Sequence, residues 1–342
     1  MATQGSDSSA NLLLNLIDGY RVTAVIYVTA RLGIADLLLE GSKSAPDLAR
    51  LTDTHERSLL RLMRALVTLA LCTEESDGTF KLTQMGTHLA ANAERSLKAW
   101  ALFEGGLFRA VWSDLIESIR TGKTAAELAG GNGQEHFEAF AKTRHAGLFN
   151  EAMVSLTRMA VPAVLSACDF SGISILMDVG GGFGELMSVI LRQHPSMRGI
   201  VFDLPHCAEG ASKHLLDAGV ADRCAFIAGS FFESVPAVAD AIIMKSVIHD
   251  WDDERCELIL RNCHAALKRG DRLTVVDRVV PENLEAKPEH LSAVLSDLNM
   301  LRGPGGCERT EREFGALMAK GGFSKGRVVP AGRYSVIEGA AV

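Results

Sequence analysis

The residues Ile173-Ser-Ile-Leu-Met-Asp-Val-Gly-Gly-Gly-Phe-Gly184 constrain this chain more than any other stretch. An apolar, β-branched run ends in Asp178, four glycines crowd into positions 180–184, and Glu185–Arg192 continues with helical periodicity. Strand, glycine turn and helix form a cradle of the nucleotide-binding kind. Glycine lets backbone come close to a ligand, and the first N–H groups of a helix have no partner within it. A dinucleotide fingerprint needs the spacing G-x-G-x-x-G. Here Gly180, Gly182 and Gly184 alternate around Gly181, and Glu185 stands where the last glycine belongs. A carboxylate there would repel a pyrophosphate, so the spacing points to a nucleoside without phosphates. The plain alternative is a tight turn that binds nothing.

From Cys168 onward, strand and helix patterns alternate. Strands are expected at 173–179, 198–203, 224–228, 240–247 and 272–280, with helices at 185–193, 206–218 and 253–268. Further helices follow at 289–302 and 310–320, then strands near 325–329 and 333–338. This is an α/β pattern, a Rossmann-like doubly wound sheet with a terminal antiparallel hairpin. Ligands in such sheets lie beyond the carboxyl ends of central strands. Asp203 ends the second strand about twenty residues past the glycine turn, where a carboxylate can accept from ribose hydroxyls. Lys245 and His249 interrupt the apolar run that ends the fourth strand, and an unpartnered buried cation is costly. His249 is read as catalytic, against a structural histidine. Asp252 and Asp253 are read as a helix N-cap, Asp277 ends the fifth strand, and Glu308 sits on a glycine-rich loop.

The N-terminal half is organised differently. Residues 1–10 look like a mobile tail, and Asn11–Arg31 is a helix apolar on more than one face, its second side awaiting another subunit. Ser44 caps a helix with Pro46 in its first turn, His55–Leu71 is a second helix, and strands around Leu71-Cys-Thr and Thr79-Phe-Lys-Leu flank a turn. Helix, turn, helix and wing make a winged-helix-like, mostly helical domain. Between Ser44 and Ala90, five basic residues face six acidic ones, and the chain's net charge is −7 with a pI near 5.8. Both argue against DNA as the partner of Arg57, Arg61 and Arg64. Leu97–Thr121 and His136–Leu165 are expected to be helical and rich in aromatics, joined by a loop at Gly130-Gly-Asn-Gly133. Seven scattered cysteines without a Cys-x-x-Cys spacing suggest reduced thiols, a cytoplasmic protein and no metal. Val22–Ala30 stops at Arg31, too short to span a bilayer, and Met1–Ala10 lacks the features of a signal peptide.

Asp178-Val-Gly-Gly-Gly-Phe-Gly184, Phe202-Asp-Leu-Pro-His206, Gly229-Ser-Phe-Phe-Glu-Ser-Val-Pro236, Lys245-Ser-Val-Ile-His-Asp-Trp251 and Gly305-Gly-Cys-Glu-Arg-Thr310 occur in one order. In that order and spacing the chain resembles the S-adenosylmethionine-dependent small-molecule O-methyltransferases over nearly its whole length. The resemblance implies a class I methyltransferase fold and three regions. These are a dimerising winged-helix domain (1–95), a helical linker lining the substrate pocket (96–167) and a cofactor-binding domain (168–342). It implies a homodimer, S-adenosylmethionine as cofactor with S-adenosylhomocysteine as product, and a small aromatic acceptor; no nucleic acid or membrane partner is expected.

By resemblance, Asp178 and Gly180 hold the methionine end of the cofactor, Asp203 the ribose, Phe231 lies on the adenine and Lys245 contacts the cofactor near the fourth strand, with Gly182, Leu204, Gly229 and Ser230 also cofactor-binding. His249 matches the family's general base, and Asp277 and Glu308 match the acids that flank it. Phe103, Phe149, Met153, Asp250, Asn299 and Met300 are the implied substrate-pocket residues, Phe149-Asn-Glu-Ala-Met153 matching a helix that packs over the acceptor. Two positions depart from the family: Ser230 replaces an aspartate that reads the adenine amino group, and Phe183 replaces a small hydroxyl residue. The expected reaction is methyl transfer to a phenolic or enolic hydroxyl with His249 removing its proton. Transfer to nitrogen or carbon, a winged-helix regulator with a nucleoside-sensing domain, and a family member recruited to non-methylating chemistry with the cofactor kept as a structural piece remain the alternatives.

Overall fold

The structure is a computed structural model that describes residues 4–131 and 136–342. Asn132 and Gly133 of the expected glycine loop lie outside the described residues. By its internal contacts the chain divides into two compact units, residues 1–113 with 147–156, and residues 114–146 with 157–342.

In the first unit a helix runs Gln4–Leu32, so the expected tail is helical from Gln4 onward. Over Ser8–Leu32 this helix is long and apolar enough to cross a membrane by length and composition, a correction to the shorter Val22–Ala30 span. Asp18 and Arg21 pair with each other at 3.1 Å and Arg31 lies in the last turn, so none of these charges breaks the helix. Leu12, Leu13, Leu16, Ile17 and Tyr20 are each more than half exposed.

Helices Ala45–Thr52 and Glu56–Thr68 follow. The Ser44 hydroxyl accepts from the Asp47 N–H and starts the first, with Pro46 in its opening turn. Leu59, Met63 and Leu66, spaced one helical face apart, bury against Ile34, Leu48 and Phe80. Arg57, Arg61 and Arg64 occupy the exposed face. The wing has one strand more than expected: β1 (Lys43–Ser44), β2 (Cys72–Glu74) and β3 (Thr79–Leu82) pair in the order β1-β3-β2. The expected helix Leu97–Thr121 is broken into Lys98–Phe103, a π-helical turn Glu104–Phe108, Arg109–Ser113 and Leu115–Thr121. Gly105 and Gly106 sit in that turn, and a Cβ on Gly105 would stand 2.3 Å from the Tyr27 Cβ, so the chain widens where it crosses Tyr27. The second expected helix is likewise two, His136–Ala141 and Ala146–Ala167.

Among the described residues the second unit is built on seven strands: β4 (Ile175–Val179), β5 (Arg198–Asp203), β6 (Cys224–Ala228), β7 (Ala241–Lys245), β8 (Arg272–Asp277), β9 (Phe323–Ala331) and β10 (Tyr334–Ala341). Their order is β6-β5-β4-β7-β8-β10-β9, parallel from β6 to β8, with β10 antiparallel to both neighbours. Both faces of the sheet are covered. Met177, Ile242 and Met244 pack on one side with the helices Asp253–Ala266 and Glu311–Lys320. Leu176, Ala241 and Ile243 pack on the other with Glu185–Gln193 and the C-terminal part of Ala146–Ala167. Double coverage explains why these strands are unbroken apolar runs. Each fully buried large aliphatic side chain contributes about 1.5–3 kcal/mol. From β4 the chain works outward through β5 and β6, then returns to place β7 on the other flank of β4. That reversal leaves a crevice at the carboxyl ends of β4 and β7.

Candidate active site

β4 delivers Asp178 to this crevice, 2% exposed, and the turn after it is held from two sides. The Gly180 N–H donates to the Phe202 carbonyl at 2.8 Å, and the Gly182 N–H donates to Asp203 Oδ2 at 2.7 Å. Gly180 has φ +71, and a Cβ there would lie 2.7 Å from Val247 Cγ2. Only glycine therefore fits between the ends of β4 and β7. The Phe231 ring edge lies 3.8 Å from the same point, so it borders the turn. Asp203 Oδ1 accepts from the Leu204 N–H at 2.6 Å, so each of its oxygens caps one backbone group.

Glu185 departs from expectation, and the two positions that differ from the family, Phe183 and Ser230, have local partners. Glu185 is paired on both oxygens: Arg158 Nε stands 3.1 Å and His214 Nε2 2.7 Å from its carboxylate. Burial would raise its pKa, but these two partners outweigh that and hold it below the usual range. Its charge is compensated, and it does not by itself exclude a phosphate. Phe183 packs over Gly210 in the helix Ala208–Asp217, where a Cβ would meet the ring at 2.2 Å, and so fastens the turn to that helix. The Ser230 hydroxyl accepts from the Phe232 N–H at 3.3 Å, capping its own turn.

The end of β7 carries the second half of the site. Lys245 donates from Nζ to Ser246 Oγ at 3.1 Å and lies over the Tyr334 ring, with Asp178, Asp250 and Asp277 within its electrostatic reach. His249, 8% exposed, follows on a single 3-10 turn, Ile248–Asp250. Its Nδ1 lies 2.9 Å from Glu308 Oε1 and 3.8 Å from Asp277 Oδ1, while Nε2 is 3.6 Å from Asp250 Oδ1. Burial alone would lower the imidazole pKa, yet Asp277, Glu308 and Asp250 together push it up to about 10. Desolvation pushes the Asp178 and Asp250 carboxyls up to about 7 and Asp277 to about 6. Glu308 is held below its usual range, His249 outweighing the effect of burial. The crevice thus holds more buried carboxylates than cations.

Around this centre are residues that sequence reasoning gave no role. Ser296 donates to Glu308 Oε1 at 2.6 Å, and the Glu308 N–H donates to Asp297 at 2.8 Å, both from the helix Pro288–Arg302. Arg309, 2% exposed, donates to the carbonyls of Ile248 at 3.1 Å and Trp251 at 2.8 Å and to Asp253. It clamps the segment that carries His249. Gly306 lies against the same segment, where a Cβ would stand 2.2 Å from the His249 carbonyl oxygen. Arg309 stood inside a quoted motif but next to a more conspicuous carboxylate, and Tyr334 had no sequence signal at all. Asp252 caps the helix Asp253–Ala266, accepting from the Arg255 N–H at 2.9 Å, as expected. Of the expected pocket residues, Phe103 and Phe149 stack within the first unit with centroids 5.6 Å apart, and Met153 lies on the same helix as Phe149. Asp250, Asn299 and Met300 belong to the second unit, Met300 being 7% exposed.

Residues 112–324 match the model of an O-methyltransferase domain, and residues 14–92 that of an O-methyltransferase dimerisation domain. The chain belongs to the O-methyltransferase family. It is 38% identical to the phenazine O-methyltransferase PhzM of Lysobacter antibioticus over 98% of this chain and 97% of that protein. It is 36% identical to the O-demethylpuromycin-O-methyltransferase of Streptomyces alboniger, over 96% and 89% of the two chains. Among solved structures, human N-acetylserotonin methyltransferase in complex with SAM superposes with a TM-score of 0.91 at 26% identity, over 100% of this chain and 99% of that one. Within this family fold, the glycine turn, Asp203 and the His249 cluster converge on one sheet edge.

Proposed function

We propose that this O-methyltransferase transfers the methyl group of S-adenosylmethionine to a phenolic or enolic hydroxyl of a small aromatic secondary metabolite, with His249 as general base. The observation that carries the reading is the His249 imidazole hydrogen-bonded to Glu308 at 2.9 Å, on the 3-10 turn that follows β7. The turn itself fits the cofactor. Gly180 leaves space no side chain could share with Val247, Phe231 offers an apolar ring beside it, and the Asp203 carboxylate is fixed at the end of β5 by the Gly182 and Leu204 N–H groups. The excess of buried carboxylates suits a ligand bearing positive charge.

When bound, the cofactor supplies an electrophilic sulfonium methyl. The protein's share is to align an acceptor oxygen, exclude water and take one proton. Alignment alone supplies roughly 7–11 kcal/mol in well-oriented reactions. Glu308 fixes the Nδ1–H tautomer of His249, which leaves Nε2 to accept the hydroxyl proton. At a pKa of about 10 the imidazole is charged at neutral pH, so it becomes a base once positive charge joins the same acids. Asp250, Asn299 and Met300 are proposed to contact the acceptor, and Asp178, Gly180, Gly182, Asp203, Leu204, Gly229, Ser230, Phe231 and Lys245 the cofactor. We further propose a homodimer formed through residues 14–92. The test is turnover of methyl-labelled S-adenosylmethionine against a panel of phenolic, quinoid and amino-aromatic metabolites, read by mass spectrometry. Label on oxygen supports the reading, label on nitrogen or carbon replaces it, and no transfer across the panel removes it.

A further inference from the structure

Tyr334 opens β10, next to Ser335, which pairs with Asp277 of β8. Its side chain is buried, and two cations lie over its ring: Lys245 Nζ at 4.9 Å and Arg278 Cζ at 5.5 Å from the centroid. Ser246 Oγ accepts from Lys245 Nζ at 3.1 Å, so the ammonium is held beside the ring from the chain's own next residue. Ser246 has φ +56, a left-handed conformation that side-chain-bearing residues seldom adopt and that tends to mark functional sites. The strained residue turns the chain so that Lys245, Ser246 and Tyr334 meet.

The two cations serve different acids. Lys245 acts on Asp178, Asp250 and Asp277, favouring the charged form of each. Arg278 donates from Nη1 to Ser292 Oγ at 2.8 Å, and its Nε lies 3.8 Å from Glu308 Oε1. Among the described residues Lys245 forms no ion pair, so its ammonium is located by Ser246 and by the face of the ring. Every carboxylate that faces His249, namely Asp250, Asp277 and Glu308, is therefore opposed by a cation that rests on Tyr334.

We propose that Tyr334 is a positioning residue of this centre: its ring holds Lys245 and Arg278 against the carboxylates around His249 and so limits how firmly the imidazole keeps a proton. An aromatic face attracts a cation without neutralising it, so both charges stay available to the acids. Without the ring the two cations, which repel each other, relax toward solvent. The carboxylates then act on His249 unopposed and favour the imidazolium.

The inference rests on the methyl-transfer reading only for its kinetic consequence, so the test reads the imidazole directly. Full-length protein carrying histidine labelled with ¹³C at Cε1 is titrated by NMR with S-adenosylhomocysteine bound, the His249 signal being identified by its loss in His249→Gln. In Tyr334→Leu the titration midpoint is expected to rise by about half a pH unit or more, whereas Tyr334→Phe, which keeps the ring, titrates with the wild type. A Tyr334→Leu midpoint equal to wild type overturns the proposal. If Tyr334→Leu does not fold, Arg278→Met takes its place. It removes one of the two cations and is expected to raise the midpoint, and an unchanged midpoint again overturns the idea. A midpoint that moves while the acid limb of turnover stays put upholds Tyr334 and counts against His249 as the base.

Discussion

A histidine ringed by Asp250, Asp277 and Glu308 gains proton affinity that a base can spare only when opposing charge is near. The sign of this effect sets the pH dependence. The imidazole must be neutral to act, and its pKa is raised, so kcat/KM should climb with pH beyond the ordinary histidine range near 6.5. Glu308→Gln removes a negative neighbour and lowers the His249 pKa, so the acid limb should move to lower pH. The same change removes the charged acceptor at Nδ1, so kcat should fall about 10–100-fold. A pH–rate series on the two proteins checks both, and an acid limb that stays in place or moves upward counts against the coupling. His249→Ala should lower kcat by about 10²–10⁴-fold while calorimetry finds cofactor affinity intact. Near-normal turnover in that variant would falsify the general-base assignment. At this scale the sequence exposed the chemistry-bearing residues, because a cation or carboxylate in an apolar run stands out. It could not expose Ser296, Arg309 or Tyr334, whose roles depend on partners distant in sequence and brought close only by folding.

At the scale of elements, the strands and helices of 173–341 were legible from periodicity and turn residues, and the glycine turn was legible from its crowding. The π-helical turn Glu104–Phe108 was not, because it answers to Tyr27 in another helix and not to its own sequence. Nor was the pairing of Glu185 with Arg158 and His214, which compensates its charge. The turn's geometry gives its own prediction. Gly180→Ala meets Val247 at 2.7 Å in a left-handed backbone conformation. It should cost about 1–3 kcal/mol of stability and abolish measurable cofactor binding. Scanning and titration calorimetry together read both, and a variant that binds S-adenosylhomocysteine like wild type disproves the close-packed cradle.

At the scale of the whole molecule, the helix Gln4–Leu32 leaves a row of large apolar side chains uncovered within its own unit. Burying such a row offsets the free energy of exposure, and stable subunit interfaces of obligate dimers are apolar and commonly exceed about 2,000 Å². Leu13→Asp combined with Ile17→Asp should shift the protein from dimer to monomer in sedimentation velocity; a wild-type chain already monomeric there removes the proposed assembly. Cofactor product binding should also stabilise the fold, by about 2.7 kcal/mol at a hundred times its Kd, and a melting temperature indifferent to S-adenosylhomocysteine would speak against the site.

The sequence by itself determined the sheet, its glycine turn, the helical N-terminal region and the family, because each is carried by neighbours in the chain: period, spacing and turn chemistry are local. Tertiary structure alone decided that β7 returns beside β4, so that His249 and the glycine turn share one edge. It also decided how far buried charge is balanced there. Both depend on which distant segments the folded sheet makes adjacent, and on the loss of water between them, which no window of sequence contains.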